Sequence, residues 1–368
     1  MPKTNRQNIY SYLYRRRGAT QQEIIRDLGL SRPTVLNNLS ELETEGCIQK
    51  AGTVETEGAG RPAMTYSVVA DDRFAIGAEL MADRVKLIAI DLYGEPIGLS
   101  TKELLYRNDE EYYRAVCDYV ERFLTELSVP TERLLGVGIA IQGLVSPDGT
   151  TVVYGEILGC TGLSIDVFTR HLPYPCRFVH DPDGAAASEL WHSPDLKDAV
   201  YLSLSGHLGG AMITDRQIRR GRHGHMATFE HMCVRPGGKL CYCGKRGCAE
   251  TICSSMALLG NEDPEDFFGA VRVGAENETA RWETYLEDLG SLIAELHLMQ
   301  DVPFVLGGHL APYFTGDDVA FLYEKVRESC PFEEEEDYLL ISKNPSHNIT
   351  IGAALPFVRS YLEEKAGE

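Results

Sequence analysis

His231 is followed by Cys241, Cys243 and Cys248, spaced Cys-x-Cys-x4-Cys, with glycines at 237, 238, 244 and 247. Thiolates and imidazole are the ligands zinc prefers, and four of them close a tetrahedral structural site. The one-residue gap between Cys241 and Cys243 puts two sulfurs on one tight loop. Gly244 and Gly247 let the chain turn around an ion, because glycine tolerates positive φ. The spacing predicts a structural Zn2+ on His231, Cys241, Cys243 and Cys248, with no position left open for catalysis. The alternative is a set of buried or disulfide-linked cysteines beside an unrelated histidine.

A second group of residues suits DNA. Ser31, Arg32, Thr34, Asn37 and Asn38 fall at the start of a predicted helix, and Arg and Asn make bidentate contacts with guanine and adenine edges in the major groove. The surrounding pattern supplies the scaffold. Residues 5–17 read as a helix with Ile9 and Leu13 on one face. Thr20-x-x-Glu23 is a capping box opening a second helix that buries Ile24 and Leu28, and Gly29 ends it. Ser31 caps the third helix, Pro33 is tolerated in its first turn, and Val35, Leu36, Leu39 and Leu42 form its apolar stripe. The short Gly29-Leu30 turn gives helix-turn-helix spacing. Gly46-Cys47-Ile48 then opens a β-hairpin wing ending at Tyr66–Val69, whose tip, Gly58-Ala59-Gly60-Arg61-Pro62, presents Arg61 as a minor-groove probe. A winged helix that binds protein instead of DNA is the alternative, since a fold does not fix a function.

The 368 residues leave room for two or three domains. Net charge is −20, unevenly spread. Residues 1–70 carry 9 Lys/Arg and 7 Asp/Glu, so the rest of the chain holds a balance of −22. An acidic body argues against nonspecific nucleic-acid binding, while a small basic head on it suits a DNA-reading module attached to a sensor. The acidic run Glu333–Asp337 reads as a solvated loop. No apolar stretch is long enough to span a bilayer, and no signal-peptide pattern opens the chain. Ten cysteines, four of them within Cys241–Cys253, fit a reducing cytoplasm with metal-bound thiols. The expected location is cytoplasmic.

From residue 71 the pattern changes. Phe74–Leu80 and Val85–Leu92 read as a β-hairpin, with a third strand near Ile97–Ser100, a helix over Glu110–Leu127 and a strand over Leu135–Ile141. A similar order recurs: strands Val200–Leu204 and Gly210–Thr214, helix Arg281–Met299, strand Phe304–Leu306, helix Asp317–Ser329. The fold class is α/β, with two βββαβα-like halves around a cleft. The boundaries are a head over residues 1–70, a first lobe over 71–190 with a C-terminal helix 351–366 packing back on it, and a second lobe over 191–350.

Arg61-Pro62 in the wing, Asp181 in His-Asp-Pro-Asp-Gly-Ala-Ala-Ala-Ser-Glu, and His231 with Cys241-x-Cys243-Gly-x-x-Gly-Cys248-x-Glu250 together resemble the ROK family of repressors and sugar kinases. The resemblance covers essentially the whole chain, and the winged helix points to the repressor branch. It implies a two-lobed actin/hexokinase-like (ribonuclease H-like) body, a structural zinc, a sugar-type ligand in the cleft, and a homodimer or homotetramer.

Family kinases cradle ATP phosphates in two glycine-rich turns. The first usually reads Asp-x-Gly-Gly-Thr and here is Glu79-Leu80-Met81-Ala82-Asp83. The second usually reads Gly-Thr-Gly-x-Gly and here is Ser205-Gly206-His207-Leu208-Gly209. Leu306-Gly307-Gly308 resembles the adenosine motif, though a plain structural turn reads the same. Asp181 matches the general-base position. Without phosphate clamps it has no leaving group to act against, so it becomes an acceptor for a ligand hydroxyl or a helix-capping Asp. By resemblance, His180, Asp181, Thr228, His231 and Glu250 contact the ligand. Thr228 replaces the family's Glu, His180 replaces its Asn, and Gln142-Gly143 lines the same cleft. The reading is a repressor that binds a double-stranded operator and senses a carbohydrate-like effector, with kinase activity lost. The alternatives are an active sugar kinase with a DNA-binding head, and a cleft that no longer takes sugar.

Overall fold

Capping boxes start the first two helices. Thr4 and Gln7 open Asn5–Arg16, and Thr20 and Glu23 open Gln21–Leu28, each pair satisfying two orphan N–H groups at a helix start. Gly29 closes the second helix in the left-handed region, and Ser31 caps the third, Arg32–Thr44. That helix buries Val35, Leu39 and Leu42. Leu36, expected in the same stripe, is 43% exposed: it follows Val35 by one residue, a rotation of about 100°, which carries it off the buried face. Strands Ile48–Val54 and Ala63–Val68 pair antiparallel as the wing, and Ala19–Thr20 joins them as a third strand. The computed structural model describes residues 3–54, 62–331, 338–342 and 347–366. Arg61 at the wing tip and the run Glu333–Asp337 lie outside the described residues.

The body contains two five-stranded sheets with the same strand order. In the first, Phe74–Leu80, Arg84–Ile90 and Pro96–Glu103 form an antiparallel meander. Leu134–Ile141 and then Cys176–His180 add in parallel on the other side of the opening strand. In the second, the meander is Ala199–Leu204, Leu208–Thr214 and Gln217–Arg219, and the parallel strands are Phe304–Gly307 and Leu339–Ile341. Cys176–His180, Gln217–Arg219 and Leu339–Ile341 were not expected. Two of them are three residues long, and Cys-Arg-Phe-Val-His breaks alternation at Phe178-Val179, so none carries a strong period-two pattern. Helices Glu110–Leu127 and Glu276–His297 bury one face each against their own lobe's apolar core.

The helix Asn348–Ala366 joins head and body. It lies against the first sheet and against helix Asp181–His192 at backbone distance. A Cβ on Gly138 would fall 1.8 Å from the Ala353 carbonyl oxygen, and one on Gly352 would fall 1.7 Å from that of Gly184. Further along, Leu355, Val358 and Leu362 enter one continuous core with Ile9, Tyr10 and Leu13 of the head and Ile88, Ile90 and Leu92 of the first sheet. Each such buried side chain contributes about 1.5–3 kcal/mol relative to exposure. Polar contacts fix the orientation: Tyr14 stacks on Tyr93 at 4.8 Å and donates to the Leu92 carbonyl at 2.8 Å, and Tyr361 donates to Asp72 at 3.0 Å. The head is therefore packed onto the body, not tethered to it.

Candidate functional site

His231, Cys241, Cys243 and Cys248 converge, each offering a ligand atom within 4.8 Å of the others. Cys243 and Cys248 sulfurs are 3.7 Å apart, and Cys241 Sγ is 3.8 Å from His231 Nδ1. A tetrahedral ion with ~2.3 Å bonds to sulfur holds its sulfurs about 3.8 Å apart, so the spacing fits a metal ion. Gly244 and Gly247 both take positive φ, 81° and 79°, as a chain wrapping an ion requires. His231 Nδ1 faces the sulfurs, while Nε2 is buried without a hydrogen-bond partner. A ring ligating through one nitrogen keeps its other N–H available for a second partner.

Beside this cluster the two lobes enclose a narrow cavity. The first lobe contributes Gln142, Gly143, Tyr154, His180 and Asp181; the second contributes Ser203, His207, Glu230 and Tyr242. Of the expected ligand contacts, Gln142, Gly143, His180 and Asp181 line it. His231 stands one layer behind, its ring packed edge-on against Tyr154 and Tyr242. Glu250 is covered by His207, whose Nδ1 is 2.7 Å from Oε1, while the Leu208 N–H donates to Oε2 at 2.8 Å. Thr228 does not reach the cavity: it is half-buried, with its hydroxyl 3.5 Å from the His225 carbonyl. The carboxylate at this place belongs to Glu230, turned inward by the short 3-10 turn Phe229–His231.

Glu230, His207, Tyr154 and Tyr242 are among the lining residues not expected from the sequence. For Tyr242 a signal existed: alternate residues of a Cys-x-Cys loop face the ion, so the residue between them faces away. For Glu230 the signal was its position beside a candidate ligand. The volume open in the cavity is about 40 Å³, little more than one water's share of liquid volume, ~30 Å³. A sugar-sized guest requires the lobes or the His207 ring to move.

Burial sets the electrostatics. Asp181 opens helix Asp181–His192 as its first residue, and no side-chain cap bond forms at that terminus. Burial, then the nearby charge of Glu79, raises its carboxyl from 3.8 to about 7. Burial raises Glu230 to about 8, with Glu250 and Asp181 adding repulsion. Burial lowers His180, whereas the hydrogen bond to Glu250 raises His207. The cavity is thus an acid-rich chamber with two imidazoles and two phenol rings, suited to hydrogen-bonding a polyhydroxylated ligand.

The turns that would cradle phosphates are differently occupied. Glu79 is buried, accepts from the Thr350 hydroxyl at 2.8 Å and lies 3.8 Å from Lys86. It is the penultimate residue of a strand whose tight turn, Met81–Asp83, lacks glycine. In the second turn His207 folds inward onto Glu250. Gly307 and Gly308 have packing reasons of their own: a Cβ on Gly307 would fall 2.0 Å from the Tyr201 hydroxyl, and Gly308 has φ +82°. In the head, Arg32 and Asn37 are exposed at the start of the third helix. Ser31 is committed to capping, accepting from the Thr34 N–H at 3.3 Å, and Thr34 is half-buried with its hydroxyl 2.8 Å from Ser31 Oγ. Asn38, expected to face bases, is half-buried and donates its amide to the Thr34 carbonyl at 2.8 Å. No helix among the described residues is long and apolar enough to cross a membrane.

Comparison with known proteins agrees with this geometry. Residues 76–355 match the ROK family, and residues 3–49 match a winged helix-turn-helix DNA-binding family. The xylose repressor of Caldicellulosiruptor bescii is 25% identical over 280 residues, 75% of this chain and 69% of that protein. The DNA-binding transcriptional dual regulator NagC of Escherichia coli is 23% identical over 232 residues, 63% of this chain and 57% of NagC. Among solved structures, a ROK family transcriptional regulator described as a homologue of the E. coli MLC protein aligns over 98% of both chains, with TM-score 0.73 and 18% identity. A ROK family glucokinase from Streptomyces griseus, in complex with glucose and AMPPNP, aligns over 77% of this chain and 98% of its own, with TM-score 0.66 and 21% identity. These likenesses carry the fold: a winged helix-turn-helix ahead of a two-lobed, sugar-kinase-like α/β body. The chain belongs to the ROK family.

Proposed function

We propose that the chain is a ligand-responsive transcriptional repressor. Its head binds a double-stranded DNA operator, and its interlobe cavity senses a carbohydrate-like effector. The observation that carries this reading is the helix Asn348–Ala366. One end of it touches Gly184 in the helix that begins at Asp181, and the other shares a core with Ile9 and Leu13 of the head. A change in lobe closure at the cavity therefore displaces the element on which the head sits. Relatives named as xylose repressor and NagC support the same reading. A homodimer or homotetramer would place paired heads on two half-sites, and their spacing would change with closure. The expected setting is the cytoplasm.

The ion is a structural Zn2+ on His231, Cys241, Cys243 and Cys248. It offers no open position, and when bound it fixes the loop that carries Tyr242. Asp181, His180 and Glu230 accept from or donate to ligand hydroxyls, His231 Nε2 supplies a further donor, and Glu250 acts through His207. Kinase activity is lost, because Glu79 and His207 place a carboxylate and an imidazole where backbone N–H groups would neutralise phosphate charge. Arg32 and Asn37 read bases, Ser31 and Thr34 hold the helix start, and Arg61 probes the minor groove. The test is to incubate the protein with genomic DNA fragments, with and without a sugar panel, and to sequence what is retained. A short palindromic site whose occupancy shifts with one sugar is expected. Absence of any specific site at modest salt would overturn the reading.

A further inference from the structure

Between the strands Cys176–His180 and Gln217–Arg219 and the helix Asn348–Ala366, apart from the interlobe cavity, lies a second cavity of about 260 Å³. Arg177, Arg220, Arg359, Gln217 and Ser360 line it, together with apolar residues and no carboxylate. We infer that this cavity is a binding site for a phosphate-bearing anion.

The charge is compensated only in part. Arg220 donates to Asp183 at 2.7 Å. Arg177 and Arg359 have no carboxylate within 4.0 Å among the described residues, and Arg177 Nε is buried with no hydrogen-bond partner. Asp148 and Glu363 act on these two only from a distance. A guanidinium keeps its proton at any physiological pH, so half-buried Arg177 and Arg359, with no carboxylate beside them, call for an anion. Burial and the neighbouring arginines both pull Arg177 and Arg359 below the ordinary arginine range. Such a cluster is unexpected in a chain of net charge −20 without a ligand to match it.

The geometry suits phosphate. Planar guanidinium forks bind phosphate oxygens bidentately, and the Gln217 amide and Ser360 hydroxyl add neutral hydrogen bonds. At ~30 Å³ per water-sized group the cavity has room for a phosphate and part of a molecule attached to it. Arg177 lies in the first-lobe strand that leads to Asp181. Arg220 follows the second lobe's edge strand, and Arg359 lies on the helix Asn348–Ala366. A bound anion would tie both lobes to the helix that carries the head.

The test is calorimetric titration of the full chain, in chloride buffer, with inorganic phosphate, glucose 6-phosphate and neutral glucose, alongside thermal unfolding. One saturable site for a phosphate-bearing probe is expected, with a melting temperature that rises with its concentration. Arg359→Gln and Arg177→Gln should each weaken that binding about tenfold, ~1.4 kcal/mol, without altering circular dichroism or metal content. If one variant misfolds, the other gives the reading. Tighter binding of inorganic phosphate identifies a free anion as the ligand, and tighter binding of glucose 6-phosphate identifies a phosphorylated metabolite. No saturable binding of either probe at millimolar concentration, or equal binding by a folded variant, would overturn the inference. Neither result bears on whether the head binds DNA.

Discussion

The two sides of the interlobe cleft are built differently. On the side of the Cys3His cluster stand the groups proposed to contact ligand: Asp181 at the helix start, the cluster beside the loop with Tyr242, and Glu230 supplying a carboxylate two residues from the position expected for it. On the nucleotide side the same fold carries a buried Glu79 tied to Thr350, and His207 folded over Glu250. Sugar recognition needs hydrogen-bonding groups held rigid. Phosphoryl transfer also needs a donor cradled by backbone N–H groups. Loss of the second requirement with retention of the first is what a sensor built on a kinase scaffold would show.

The largest effect should come from the side of the Cys3His cluster. Cys241→Ser is expected to reduce bound zinc from about one ion per chain to near none, since affinity of a structural site depends on all its ligands. Zinc content by elemental analysis reads this directly. The body should lose sugar response before the head loses its fold, and a fully zinc-loaded variant would break the comparison. Next in size, Arg32→Ala should weaken operator binding by about 1–3 kcal/mol while leaving sugar titrations unchanged. A fluorescence-anisotropy titration with the selected site measures it.

A smaller effect is expected at the nucleotide side. His207→Ala leaves Glu250 buried with one partner fewer, which costs about 1–3 kcal/mol, seen as a lower unfolding midpoint. It should not restore ATP turnover, because Glu79 remains; turnover in a coupled assay would show that His207 alone had closed the kinase. The last effect is a pH dependence. The Asp181 carboxyl is raised from 3.8 to about 7 in the folded chain. The folded state therefore holds this proton where the unfolded state has released it. Its contribution is fully present below pH ~4 and is lost as pH rises towards ~7. Denaturant unfolding at several pH values should find Asp181→Asn less sensitive than the parent across that window and parallel to it above.

Much of this was legible before the structure. The head announced itself through Thr20-x-x-Glu23, Gly29 and Ser31, whose local hydrogen bonds are set within four residues. The Cys3His cluster showed itself by chemistry and spacing. The parts that were not legible depend on distant chain segments. Leu36 sits one residue off the buried stripe, and Asn38 is drawn onto the Thr34 carbonyl. Glu230 reaches the cavity only because a 3-10 turn rotates it inward, while Thr228 is rotated away. His207 covers Glu250 across 43 residues, a pairing that no local pattern encodes. The terminal helix could be placed on the first lobe, but not its second role as the seat of the head.

One experiment addresses the difference between the two sides of the cleft most directly. The full chain would be titrated calorimetrically with hexoses, pentoses and amino sugars, then with Mg-ATP, and the same pairs assayed for coupled ADP release. Saturable binding of at least one sugar, no nucleotide binding and no turnover are predicted. Phosphorylation of any sugar would contradict the account and return the chain to the kinases.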